Sequence, residues 1–440
     1  MELHFADEPL KVSEEINKSI LETLQEKEQI EVRGDYIIFK NFTGVVGDCL
    51  VIPRKLAEHF KLINESGEKT QNFYERYKEL FGKFLKYILK KLAKEHIIYT
   101  LSLSSFPVDE SKLNESKIFK LLVLLEKKEE LINSLRLILS IPHKNLVEYE
   151  TYKSLNEVSY VDSNVIIDIV QNPEKLYETE KGIIEHEGKR YSPTAVLQYE
   201  FEESFDTPEN RFVKHLLKEL EILLSEELKD FFFLEELKEI KEEIEYTLRS
   251  DVFSEVGDLN FFPSNSQVLM KKAGYRELFQ IYRLLHLSFV PRIFEDLDLA
   301  FSLKDMATLW EYYVLIEILR EFKEKFGTYK VIIDFEEKVE GKTVYEEAQF
   351  KFENDLILYY QKSLYAYSGL RFRPDFYVKF KDNRFIFDAK FRIFENNEKD
   401  LLQNMHYYRD GLKVTSAVAV CFGEKNKRVL FGRRMEVKNQ

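Results

Sequence analysis

The chain has 440 residues, of which 44% are hydrophobic and 32% charged, with a net charge of −13. That length exceeds one ordinary core and the composition excludes a disordered chain, so two or three domains are expected. The acidic balance argues against a general nucleic-acid coat, and two distant cysteines, Cys49 and Cys421, exclude a disulfide framework or a Cys-x-x-Cys zinc site.

The first residues lack the basic-then-apolar order of a leader, and no apolar run approaches a membrane span. A cytoplasmic protein without membrane contact is therefore expected. The Lys/Glu bias, with few Gly and Pro, hints at a heat-adapted source. Residues 11–27 read as a helix, followed by short strands at 31–33, 36–40, 45–46 and 49–52, with Asp35, Gly44 and Gly47 supplying turn chemistry. Apolar residues at helical spacing predict long helices over 71–95 and 116–139. Short β-like pieces follow at 164–170, 182–186 and 195–199. Thr207 as cap and Pro208 at the first helical position open a helical stretch to about 249, and a further helix is predicted over 266–286. Residues 296–301 read as a connector. A capping box at Ser302–Asp305 then predicts a helix to Phe326 that stops at Gly327. Strands are predicted at 329–336, 356–360, 374–380 and 384–391, then a helix over 398–409 and strands at 415–422 and 428–432.

These elements predict an α+β multidomain chain. A mixed α/β module spans 1–145, a β-rich segment and a helical region span 146–300, and an α/β domain with a mixed central sheet spans 301–440.

One constellation carries chemistry. Asp375 follows Arg373-Pro374, and Asp388-Ala389-Lys390 comes thirteen residues later. Period-two alternation puts Asp388 and Lys390 on one face of their strand. A hairpin centred on Asp382 would set Asp375 within about one position of Asp388. Two hard carboxylates can then share a divalent cation, with a lysine beside them to orient water. The helix at 306–319 is apolar almost all round, with Glu311 and Glu317 as its charged exceptions. A buried carboxylate is costly unless paired or metal-bound, so Glu311 is the favoured helix acid and Glu317 the alternative. His406 reads as a structural histidine.

Trp310-Glu311-Tyr312-Tyr313, Arg373-Pro374-Asp375, Asp388-Ala389-Lys390 and residues 403–410 together resemble the PD-(D/E)XK nuclease domain of McrC-like restriction subunits. Residues 207–220 and 274–285 look like the helical region that precedes that domain, so the resemblance covers about 201–434. It implies a Mg²⁺-dependent DNA endonuclease, with Mn²⁺ as a substitute, in a modification-dependent restriction system of antiviral defence. It implies metal binding by Asp375, Asp388 and Glu311, and catalysis by Lys390. Gln403, Tyr407 and Arg409 would face DNA. The partner implied is an McrB-like AAA+ GTPase ring docked on residues 1–200. No GxxxxGK[ST] loop occurs in the chain, so such a motor must act in trans. Two alternatives are a regulatory subunit that stimulates an NTPase ring through a degenerate nuclease fold, and a stand-alone repair nuclease.

Overall fold

A computed structural model describes residues 1–12, 17–95, 113–231, 233–287, 290, 292–336, 345–393 and 398–423. Contacts divide the chain into two units, both mixing helix and strand. One comprises residues 1–128, 230–237 and 281–440, the other residues 129–229 and 238–280. The predicted modules 1–145 and 301–440 thus fall largely within the same unit. What joins them is contact between residues far apart in sequence, polar as at Gln29–Asp305 and aromatic as at Phe60–Phe391, which no local periodicity encodes.

In the first unit, Leu10–Lys11, Tyr36–Phe39 and Ile30–Arg33 form one small sheet. Glu2–Phe5 pairs parallel to Cys49–Ile52, which pairs antiparallel with Gly44–Val46. Leu24 from the helix Lys18–Glu26 packs with Ile30, Ile37, Phe39 and Val46 in one apolar cluster. The helix Phe73–Lys94 turns Tyr77, Phe81, Leu85 and Ile88 inward, as its spacing predicts.

The larger sheet of this unit has six strands in sequence order. Tyr329–Glu336, Tyr345–Phe352, Leu356–Tyr360, Phe376–Phe380 and Asn383–Ile393 pair antiparallel, and Ser416–Phe422 joins parallel to the last. A parallel neighbour requires a crossover, which the helix Glu398–Leu412 provides. Alternation gives the sheet two buried faces. On one, the helix Met306–Phe326 sets Tyr312 against Tyr360 and Phe326 against Phe380. On the other, Tyr408 and Leu412 pack with Tyr377, Ile386 and Val414.

The central helix ends at Gly327 (φ +83°), as predicted. Its N-cap is Asp305, whose carboxylate accepts from the Ala307 N–H at 3.0 Å and from the Thr308 hydroxyl at 2.7 Å. Ser302 instead belongs to a separate helix, Arg292–Leu303, which also contains the predicted connector 296–301. An aspartate directly before the apolar run outcompetes the earlier serine as cap.

In the second unit, Asn145–Lys153 and Val196–Ser204 form an antiparallel ribbon. Leu176–Glu178, Lys189–Pro193 and Ile184–His186 form a three-stranded sheet. Residues 164–170, predicted as strand, lie in the helix Ser163–Gln171. The Asp162 carboxylate accepts from the Asn164 and Val165 N–H groups, and this cap overrides the β-branched run. Thr207 caps Pro208–Ile222 as predicted. The single helix predicted over 266–286 is two, Gln267–Lys271 and Tyr275–Leu285, separated at Gly274, whose φ of +86° suits glycine. The predicted helix over 116–139 is likewise two, Lys117–Glu126 and Lys128–Ser140. The predicted strand at 428–432 lies outside the described residues. Among the described residues no helix is long and apolar enough to cross a membrane.

Candidate active site

The strands Phe376–Phe380 and Asn383–Ile393 form a tight hairpin, with Phe380 opposite Asn383 and Phe376 opposite Phe387. Lys381 takes the left-handed φ of +54° that the two-residue turn demands. One step beyond the last pair, Asp375 comes opposite Asp388. Its Oδ2 accepts from the Ala389 N–H at 2.6 Å. Asn383–Ile393 runs on past its partner, so Lys390 projects from the same face as Asp388. The Lys390 ammonium lies 2.8 Å from Asp388 Oδ2, with side chains only 18% and 1% exposed.

Glu311 reaches this end of the sheet from the central helix and is buried. Its Oε2 accepts from Gln361 Nε2 at 3.1 Å, and its Oε1 is approached by Asn41 Nδ2 at 3.5 Å. Glu311, Asp375, Asp388 and Lys390 line one polar cavity of about 100 Å³. Glu317 does not line it and pairs instead with Arg320 at 2.7 Å.

The cavity also holds residues to which the sequence reading assigned no role in the site. Lys27 and Asp296 form an ion pair at 2.5 Å in its wall, and Asn41, Gln361, Arg373 and Tyr408 line it too. Tyr408 had a readable signal. Leu401 and Met405 are buried on the helix Glu398–Leu412, and the same helical phase turns Tyr408 inward. Gln403, Tyr407 and Arg409 lie outside the cavity lining. Gln403 donates to the Tyr407 hydroxyl at 2.9 Å on an exposed face, and Arg409 pairs with Asp410 at 3.0 Å. His406 does not line the cavity either.

The electrostatics are those of crowded carboxylates. Burial first, then Asp388, push Asp375 up to about 7. Burial, then Asp375, hold Glu311 well above the usual range. Burial alone would lower the Lys390 ammonium, but Asp388 and Asp375 outweigh it and hold it raised. Burial, followed by the same two aspartates, raises the Tyr408 phenol. A carboxyl raised in the folded state keeps its proton where the unfolded chain has lost it. Stability is therefore fullest below about pH 4 and falls as pH rises towards 7. For Asp375 and Glu311 together, the metal-free protein is expected to lose stability across that window, and Asp375→Asn to flatten the slope. Urea midpoints at several pH values check this.

Among the described residues no group of three or more His, Cys, Asp and Glu side chains is assembled to hold a metal by itself. Mg²⁺ does not require such a cage. It binds through one or two carboxylates, keeps several waters and takes phosphate oxygens from a substrate. Two adjacent buried aspartates, one of them raised by burial and by the carboxylate beside it, are a hard-oxygen pair whose crowding a divalent cation would relieve. Asp375 and Asp388, with Glu311 beside them, therefore fit the ion.

A family model described as a domain of unknown function (DUF2357) matches residues 34–282, more than half of the chain. The match includes Asn41 and ends before Glu311. A search of curated proteins finds no match to this chain.

Proposed function

The chain belongs to the DUF2357 family, and from its cavity we propose that it is a Mg²⁺-dependent DNA endonuclease of the PD-(D/E)XK type. The observation that supports this is the meeting of Glu311, Asp375, Asp388 and Lys390, drawn from one helix, one strand and the residue that leads into its hairpin partner, in a single polar cavity. Asp375 and Asp388 would hold Mg²⁺, with Mn²⁺ as substitute, and Glu311 would complete the oxygen set. When bound, the ion supplies Lewis-acid stabilisation of a phosphodiester and lowers the proton affinity of water.

The chain's own residues define the rest. Lys390 is held charged by Asp388 and points into the cavity, where its ammonium can orient water and balance charge growing on phosphate oxygens. Asp375 is fixed by the Ala389 N–H, so its free carboxylate oxygen has one direction in which to act. Lys390→Ala is expected to lower turnover about 10²-fold or more while DNA affinity stays within about threefold. Single-turnover cleavage and equilibrium binding, measured side by side, check it. Equal losses in both would reduce Lys390 to a phosphate contact.

A nucleotide-hydrolysing partner is the second part of the proposal. The McrC-like resemblance points to an AAA+ GTPase ring that docks on residues 1–200. Supporting this, the ribbon Asn145–Lys153/Val196–Ser204 leaves Leu146, Val147, Tyr149, Tyr152 and Phe201 exposed. Clustered apolar side chains in water mark an interaction surface more often than a free one. Gln403, Tyr407 and Arg409 remain proposed DNA contacts, now from outside the cavity.

A further inference from the structure

Gln361 is the residue through which two of the cavity's carboxylates are mechanically connected. It follows the strand Leu356–Tyr360 and sits in the left-handed backbone region at φ +48°, which a side chain with a Cβ adopts at a cost. Such a conformation persists only where its surroundings hold it, and here five bonds surround the residue. Its N–H donates to the Asp375 carbonyl at 2.8 Å. Its carbonyl accepts from Arg373 Nε at 3.2 Å, and its Oε1 accepts from Arg373 Nη2 at 2.8 Å. With the guanidinium on the amide oxygen, the amide nitrogen must face the other way, and it donates to Glu311 Oε2 at 3.1 Å and to the Tyr360 hydroxyl at 3.2 Å.

We propose that Gln361 is a positioning residue that fixes the Glu311 carboxylate at a set offset from Asp375, with Arg373 preventing its amide from turning. The inference rests on the nuclease reading and deepens it. The main chain of Gln361 is tied to the residue that carries one ligand, and its side chain is tied to the other. A ligand-orienting partner of this kind changes metal affinity or turnover by about 10- to 100-fold when removed.

The test uses the full chain with Gln361→Ala and Gln361→Gly. Glycine takes the left-handed φ without strain, so it isolates loss of the amide from loss of fold. Mn²⁺ binding followed by electron paramagnetic resonance should weaken about tenfold in both variants. Turnover on DNA should fall by a similar factor, with KM unchanged. A merely structural role would lower the melting temperature, while the folded fraction bound Mn²⁺ and cut like wild type. That result, in Gln361→Gly as well as in Gln361→Ala, overturns the inference. Asp388→Asn separates the two levels of the argument. Wild-type cleavage by Asp388→Asn overturns the nuclease reading itself. An inactive Asp388→Asn beside unaffected Gln361 variants overturns the positioning role alone.

Discussion

Asp375→Asn is expected to abolish metal-dependent cleavage and, in the same molecule, to raise the stability of the metal-free protein. The loss follows from removing one of two hard oxygen ligands, and about 10³-fold or more in rate is the expected scale. The gain follows from the crowding that pushes Asp375 up to about 7. Above that pH the buried carboxylate must ionise beside Asp388, and an amide of the same shape need not. The expected rise is on the order of 1–3 kcal/mol at pH 8, read from urea or thermal melts. Asp388→Ala should behave differently. It strands the Lys390 ammonium, whose side chain is only 18% exposed, without its partner. Removing one member of a buried pair destabilises, so this variant should lose both cleavage and stability. Opposite stability changes for two equally inactive variants are a signature that a general folding defect does not produce.

The second large effect concerns the N-terminal residues. The Glu311 helix begins at Asp305, and that cap is gripped from more than 250 residues away. Gln29 Nε2 donates to Asp305 Oδ2 at 2.9 Å, and the Thr43 N–H donates to Oδ1 at 3.1 Å. The buried Tyr77 hydroxyl lies 2.7 Å from the carbonyls of both Thr43 and Lys304. Lys27 and Asn41 complete the cavity wall. A chain beginning at residue 301 should therefore show no cooperative melting and no Mn²⁺ binding, although the sequence predicts a self-contained domain there. In the full chain, Gln29→Ala should lower the melting temperature by several degrees, since it strips a donor from a buried carboxylate. Circular dichroism melts and metal titrations check both. A cooperative transition with intact Mn²⁺ binding in the fragment would show that the N-terminal contacts are incidental.

The contrast shows what a single sequence makes legible. Asp375, Asp388 and Lys390 were readable because period-two alternation and a short turn are local, and the hairpin register places them as that pattern predicts. Glu311 was readable because a carboxylate on an otherwise apolar helix stands out against the cost of burying it. Asn41, Gln361 and Asp296 were not. Each is an ordinary polar residue in its own segment, and its meaning comes from a tertiary contact. Residues 164–170 misled because β-branched runs favour strand, while the decisive signal was one aspartate ahead of them. The strand Tyr345–Phe352 was missed because its sequence, YEEAQFKF, carries three charges and only a partial alternation. The hydrogen bonds of its neighbours, more than its own propensity, make it a strand.

Incubation of supercoiled DNA with the full-length wild-type chain, with Mg²⁺, with Mn²⁺ and with chelator, tests the central claim most directly. Nicked and linear products are expected with either metal, none with chelator, and none from Asp375→Asn under any condition. Cleavage that survives chelation, or equal cutting by Asp375→Asn, would contradict that claim.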